Sequence, residues 1–136
     1  MRFVDTNVLL YAASLLPEDA EKRTQALNVL AEPELALSVQ VLQEFYHQAT
    51  RPTRSARLSH DEALRFLEPL LGAHVQPLTL DLFRRAVAIA RRYEVSYWDG
   101  AILAAAGAAG CDVVYSEDLS PGQLYDGVQV LDPFAL

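Results

Sequence analysis

Five short apolar runs constrain this chain more than any other feature. They are Phe3-Val4 with its flanks, Leu35–Leu37, Val75–Leu78, Asp112–Tyr115 and Val128–Leu131, and stretches with helical spacing separate the first four. Runs this short and this apolar read as strands buried on both faces, and parallel strands need helix-length crossovers between them. The pattern predicts an α/β fold: a three-layer α/β/α sandwich around a central parallel sheet of four or five strands. The chain has 136 residues, no internal repeat and no low-complexity linker, so residues 1–136 are expected to form a single domain. Such a domain buries roughly two thirds of its unfolded surface.

The helices announce themselves by caps and stripes. A first turn starts at Asn7 and runs from Val8 to Ala13, where Pro17 cuts it short, and a second helix is expected from about Glu18 to Leu30. Ser38 is a suitable N-cap for a helix reaching Ala49, with Val39, Leu42, Phe45, Tyr46 and Ala49 as its apolar stripe. Ser59-His60-Asp61-Glu62 reads as a capping box for a helix to Leu71, closed by Gly72. Asp81–Tyr93 is strongly amphipathic. Ser96 opens Tyr97–Ala109, which is apolar nearly all round and is therefore predicted to be buried.

Four carboxylates stand at the edges of these elements. Asp5 follows the first strand, and Asp118 follows the fourth. Glu44 and Asp99 sit on helices that come after a strand or loop. In parallel sheets, ligands bind beyond the carboxyl ends of the strands. Each acid has an ordinary alternative role. Asp5 could cap the next helix, Asp118 could close a turn before Pro121-Gly122, and Asp99 could complete a capping box with Ser96. Glu44 falls roughly 150° from its helix's apolar stripe at ~100° per residue, so it is no core residue, and alone it is an ordinary surface glutamate. Asp99 is the more telling case. It is the one charged residue between Glu94 and Asp112, and burying an unpaired carboxylate beside that apolar helix costs several kcal/mol, on the order given for desolvated charges. If the fold gathers the four acids, a cation must offset their repulsion. Hard oxygen ligands without histidine or thiolate select Mg²⁺ or Mn²⁺.

Other chemistries find little support. His47, His60 and His74 are scattered without zinc spacing, Cys111 reads as a small buried hydrophobe, and no Gly-rich phosphate loop or Gly-x-Ser-x-Gly elbow is present. One cysteine allows no internal disulfide, and no run reaches the ~18 apolar residues of a membrane span. With no secretory pattern at the N-terminus, a cytoplasmic location is expected. The net charge of −7 speaks against a nucleic-acid partner. Setting aside the four candidate acids leaves about −3, and divalent ions would offset the site itself. Lys22 is the sole lysine. Arginines cluster at Arg51, Arg54 and Arg57 and again at Arg84, Arg85, Arg91 and Arg92; both groups read first as solvated surface and second as contacts for substrate or an acidic partner.

Taken in order, Phe3-Val4-Asp5-Thr6-Asn7, Ser38-x-x-Val41-x-x-Glu44-Phe45, Tyr97-Trp98-Asp99 and Tyr115-Ser116-Glu117-Asp118-Leu119 resemble the PIN-domain family, and within it the VapC-type toxins of bacterial toxin–antitoxin pairs. The resemblance runs from Met1 to Asp132-Pro133-Phe134. It implies a metal-dependent endoribonuclease that leaves a 5′-phosphate and a 3′-hydroxyl. Asp5, Glu44, Asp99 and Asp118 match the family's acidic quartet. Asp5 and Asp99 are expected as direct ligands of one or two Mg²⁺ (or Mn²⁺), and Glu44 and Asp118 as direct or water-bridged ones. Thr6 and Ser116 match polar accessory positions, and Asn7 matches the strand-to-helix turn. The resemblance also implies a homodimer and a cognate antitoxin that sends a cationic side chain into the acids. Two rival readings are a phosphoacceptor signalling domain and a non-catalytic acidic binding module. The first needs a lysine on the phosphate, and Lys22 lies in an early helix.

Overall fold

The computed structural model of the chain describes residues 1–135, so of the expected domain only Leu136 lies outside the described residues. In chain order the elements are β1 (Arg2–Val4), α1 (Thr6–Ala13), α2 (Ala20–Leu30), β2 (Leu35–Ser38), α3 (Val39–Thr50) and α4 (His60–Leu67). They continue with β3 (His74–Gln76), α5 (Leu80–Tyr93), α6 (Tyr97–Ala108), β4 (Val113–Tyr115), β5 (Leu124–Tyr125) and β6 (Val128–Leu131).

The strands form one sheet in the order β3-β2-β1-β4-β6-β5. All neighbours are parallel except β5, which runs antiparallel to β6. The chain steps from β1 to β2 to β3 in one direction, then returns past both to β4. Right-handed crossovers place α1–α4 on one face and α5–α6 on the other, and the helix contacts divide the same way. The three-layer α/β/α sandwich is therefore as expected, with the sheet core carried by Phe3, Val4, Leu37, Val114 and Val130, all fully buried.

The sheet has six strands where four or five were expected. The extra one is β5, whose two residues are too few to carry a periodic signal. Its hairpin turn is Asp126-Gly127, both at positive φ (48° and 85°), joining Tyr125 to its partner Val128. An Asp-Gly pair is the sequence mark of such a turn. Proline explains the shifted boundaries. Pro17 opens a 3₁₀ turn over Pro17–Asp19, so α2 starts at Ala20. Pro69 turns the end of the α4 helix into a 3₁₀ segment, Glu68–Gly72. Pro77 cannot donate to the ladder, and β3 ends at Gln76.

Helix α6 lies across the sheet with Gly100 to Ala106 all buried, as its uniform hydrophobicity requires. It packs closely on α5 at Gly100, where a Cβ would stand 2.7 Å from the Ala86 carbonyl oxygen. This contact fixes the α6 N-terminus, and with it Asp99.

Candidate active site

The sheet's topological switch lies between β1 and β4, because the chain leaves β1 toward β2 and reaches β4 from the other side. At the carboxyl ends of this pair a crevice must open. The backbone pairing runs on past the strands: the Asp5 N–H donates to the Tyr115 carbonyl at 3.1 Å, and the Ser116 N–H donates to Leu131 at 3.0 Å. Asp5 and Ser116 thus emerge side by side at the crevice floor.

The crevice is a cleft of about 410 Å³ lined by Asp5, Glu44, Gln48, Trp98, Asp99, Ile102 and Asp118. All four acids singled out in the sequence line it, each delivered by a different element. Asp5 caps α1 as well: its Oδ1 accepts from the Thr6 N–H at 2.6 Å. Its Oδ2 accepts from Ser116 Oγ at 2.8 Å. Ser116 Oγ in turn accepts from the Asp118 N–H at 3.1 Å, so one buried hydroxyl ties two of the acids together. Glu44 is held from both sides, accepting from Thr6 Oγ1 at 2.9 Å and from Gln40 Nε2 at 2.7 Å. Asp118 is exposed, and its Oδ2 accepts from Asn7 Nδ2 at 2.8 Å. Asp99 sits in the first turn of α6, where Ser96 Oγ accepts from its N–H at 3.1 Å. That is the first half of a capping box. The reciprocal bond from the Asp99 carboxylate is not made among the described residues, and the side chain faces the cleft.

The four acids take no part in the ion pairs of the fold. The ion pairs among the described residues are Met1–Glu34, Arg2–Glu32, Lys22–Glu117 and Arg92–Asp126, and none involves the four acids. Burial pushes the Asp5 carboxyl up to about 6; the Ser116 and Thr6 hydrogen bonds work against the rise, while Asp118 and Glu44 add to it. Asp118 is also raised, first by desolvation and then by the charges of Glu117, Asp99, Glu44 and Asp132.

Hard oxygen donors with no counter-charge suit a divalent cation in their chemistry. They are not drawn into a ready coordination sphere: among the described residues no three His, Cys, Asp or Glu side chains stand close enough together to hold a metal ion. The carboxylates of Asp5, Glu44 and Asp118 accept from neutral donors: Ser116 for Asp5, Thr6 and Gln40 for Glu44, and Asn7 for Asp118.

Sequence reasoning missed several residues of this site. Gln40 is buried and one helical turn before Glu44, a spacing that puts the two on one face. Trp98 and Gln48 line the cleft and stood next to Asp99 and one turn from Glu44. Asp132 directly follows β6 at the same sheet edge as Asp5 and Asp118, and the same positional rule would have found it. Lys22 reaches from its early helix to the loop that carries Asp118. Its Nζ contacts Glu117 at 3.1 Å and the Tyr11 hydroxyl at 3.2 Å, and so is committed to the rim.

A family model described as "PIN domain" matches residues 2–124. No curated protein matches the chain. Among solved structures, the chain is similar to Mycobacterium tuberculosis VapC20, described as a sarcin–ricin loop cleaving toxin. The identity is 20%, the TM-score is 0.66, and the match covers 87% of this chain and 90% of that one. A toxin–antitoxin complex from Klebsiella pneumoniae matches with a TM-score of 0.69 at 19% identity over the full length of both chains. FitAcB from Neisseria gonorrhoeae matches with a TM-score of 0.63 at 17% identity, also over both full lengths.

Proposed function

This chain belongs to the PIN-domain family, and on that premise we propose that it is a metal-dependent endoribonuclease, the toxin of a toxin–antitoxin pair acting in the cytoplasm. The observation that carries the reading is the convergence of Asp5, Glu44, Asp99 and Asp118 from four separate elements onto one cleft, with no ion-pair partner among the described residues. A divalent cation would offset the charge of carboxylates brought to one cleft, and Mg²⁺ or Mn²⁺ is the match to an all-oxygen donor set.

Asp5 and Asp99 are the proposed principal ligands, with Glu44 and Asp118 completing the set directly or through water. Such an ion supplies an activated water at neutral pH and offsets charge growing on the phosphoryl oxygens. The chain's own groups do the rest. Ser116 and the Thr6 N–H fix the Asp5 carboxylate. Thr6 Oγ1 and Gln40 hold Glu44 where it can orient a water or take its proton. Asn7 steadies Asp118 at the rim. The cleft is open enough, at about 410 Å³, to admit a phosphodiester rather than a small anion alone. No side-chain nucleophile is required, and the products are a 5′-phosphate and a 3′-hydroxyl.

The partners in this reading are RNA, a second copy of the chain, and an antitoxin whose cationic side chain silences the acids. The neighbour described as a sarcin–ricin loop cleaving toxin makes loops of structured RNA the first substrates to try. The deciding test is incubation of a total RNA pool with the purified protein and Mg²⁺ or Mn²⁺. Fragments that EDTA abolishes support the reading; intact RNA under every metal tried refutes it.

One observation favours a second reading. Three of the acids are already satisfied by neutral donors, as the acids of a non-catalytic binding module would be. Calorimetry with Mn²⁺ separates the two, because such a module gives no heat that depends on Asp5.

A further inference from the structure

A largely exposed indole stands at the mouth of the acidic cleft. Trp98 is 65% exposed although it directly precedes Asp99 and lines the cleft. Among the described residues its Nε1 makes no hydrogen bond. Its one aromatic support is Tyr97, edge-on at 5.1 Å, and Tyr97 in turn meets Phe83 at 5.7 Å. An aromatic strip thus runs out of the cleft along α6 and α5. Leaving a large apolar face in water is costly unless something covers it.

The cleft walls also pose a binding problem. Among the described residues no lysine or arginine lines them, so side-chain cations do not attract phosphate there. Beyond the proposed metal ion, a substrate must gain affinity from another source. A base has a π face whatever its identity, and stacking on an aromatic side chain is the sequence-tolerant way to hold a single strand. In a duplex both faces of a base are covered by its neighbours, so only an unpaired, unstacked base can use the indole.

We propose that Trp98 is the substrate-contacting residue that selects unpaired RNA, stacking a nucleobase next to the phosphodiester that enters the acidic cleft. This rests on the nuclease reading above. Tyr97 acts behind it as a positioning residue that sets the plane of the indole. Because the contact is not ionic, its contribution is the same at low and high salt.

The test compares cleavage of a single-stranded RNA oligonucleotide with the same sequence in a full duplex, using wild type, W98F, W98L and W98A. At 65% exposure none of these substitutions disturbs the core. The expected result is a kcat/KM on the single strand that falls at least about fivefold in W98A, equally at low and high salt. W98F keeps most of the wild-type rate and W98L does not, and the duplex is a poor substrate for all four. Trp98 is the sole tryptophan, so its fluorescence should also quench when the single strand is added in EDTA. W98A or W98L cutting as well as wild type overturns the inference while the nuclease reading stands; if self-association changes instead, Trp98 belongs to a protein contact. A wild-type protein that cuts no RNA removes both.

Discussion

Ser116 Oγ lies 2.8 Å from Asp5 Oδ2, at the join between β4 and β1, and no other side-chain hydroxyl reaches that carboxylate among the described residues. The same oxygen accepts the Asp118 N–H. A single hydroxyl, 1% exposed, therefore couples the buried acid of the crevice floor to the exposed acid of its rim.

Removing it should be felt at both acids. Ser116→Ala leaves Asp5 Oδ2 buried without its donor, and hydrogen bonds to charged groups are worth about 1.5–3 kcal/mol. The Ser116 bond also opposes the rise of the Asp5 carboxyl. Its loss should push that group further up and move the acidic limb of the pH–rate profile to higher pH. Chemical denaturation and a pH series of RNA cleavage check the two effects. A mutant with unchanged stability and an unchanged profile would break the link.

Asp5 makes stability depend on pH in a direction opposite to a salt-bridged acid. Its carboxyl is raised from 3.8 to about 6 in the folded chain, so the folded state holds the proton more tightly than the unfolded one. The stabilisation is complete below pH ~4 and is lost as pH rises through 6, at about 3 kcal/mol in total. Asp118 is raised too and adds in the same sense. In EDTA the melting temperature should fall between pH 5 and pH 7, taking Asp5's contribution on its own, as an order-of-magnitude window. Mn²⁺ should restore it at the higher pH. Asp5→Asn, which keeps a good N-cap, should melt higher than wild type at neutral pH without metal and gain little from Mn²⁺. A wild-type melting curve indifferent to Mn²⁺ would count against the ion.

Asp99→Asn separates chemistry from folding most cleanly. The side chain is half-buried on the cleft wall and takes no part in capping α6 through its carboxylate. Circular dichroism and melting should be nearly unchanged, while RNA cleavage falls by about 10²-fold or more, the scale of losing a main electrostatic contributor. Retained cleavage with metal present would show that Asp99 is not a ligand.

Much of this was legible in the residues. Ser38, Ser59 and Ser96 each cap the helix that their spacing promised. The apolar runs became the buried strands because period and composition agree there. The acids were found by position, from the rule that parallel sheets bind ligands at their carboxyl edge. What stayed hidden depends on contacts between elements. Nothing local marks Gln40 as the partner of Glu44 rather than a solvent-facing glutamine, because its burial comes from tertiary packing. Nothing local reveals that Lys22 reaches Glu117 across 95 positions of chain. The strand Leu124–Tyr125 exists because β6 offers an edge and Asp126-Gly127 can reverse the chain. The four acids do line one cleft, but the donors from other elements that hold three of them, Ser116, Thr6 and Asn7, could not be read locally.

Gly100 ties the stability of the fold to the position of Asp99, and its substitution reads both. A methyl group there would stand 2.7 Å from the Ala86 carbonyl oxygen and 3.2 Å from the Ala90 Cβ. Alanine would gain up to about 1 kcal/mol of helix propensity over glycine. Overpacking against a backbone atom that cannot rotate away typically costs about 1–3 kcal/mol, and here it should win. Helix α6 would have to move off α5, carrying Asp99 and Trp98 with it. Gly100→Ala should therefore lower stability and also reduce cleavage at temperatures where the protein remains fully folded, because a shift of about an ångström at a catalytic group is worth orders of magnitude in rate. Denaturant titration measures the first effect and single-turnover cleavage below the melting transition measures the second. A variant as stable and as active as wild type would mean that α5 and α6 yield at this contact and that the close approach does not hold the acid in place.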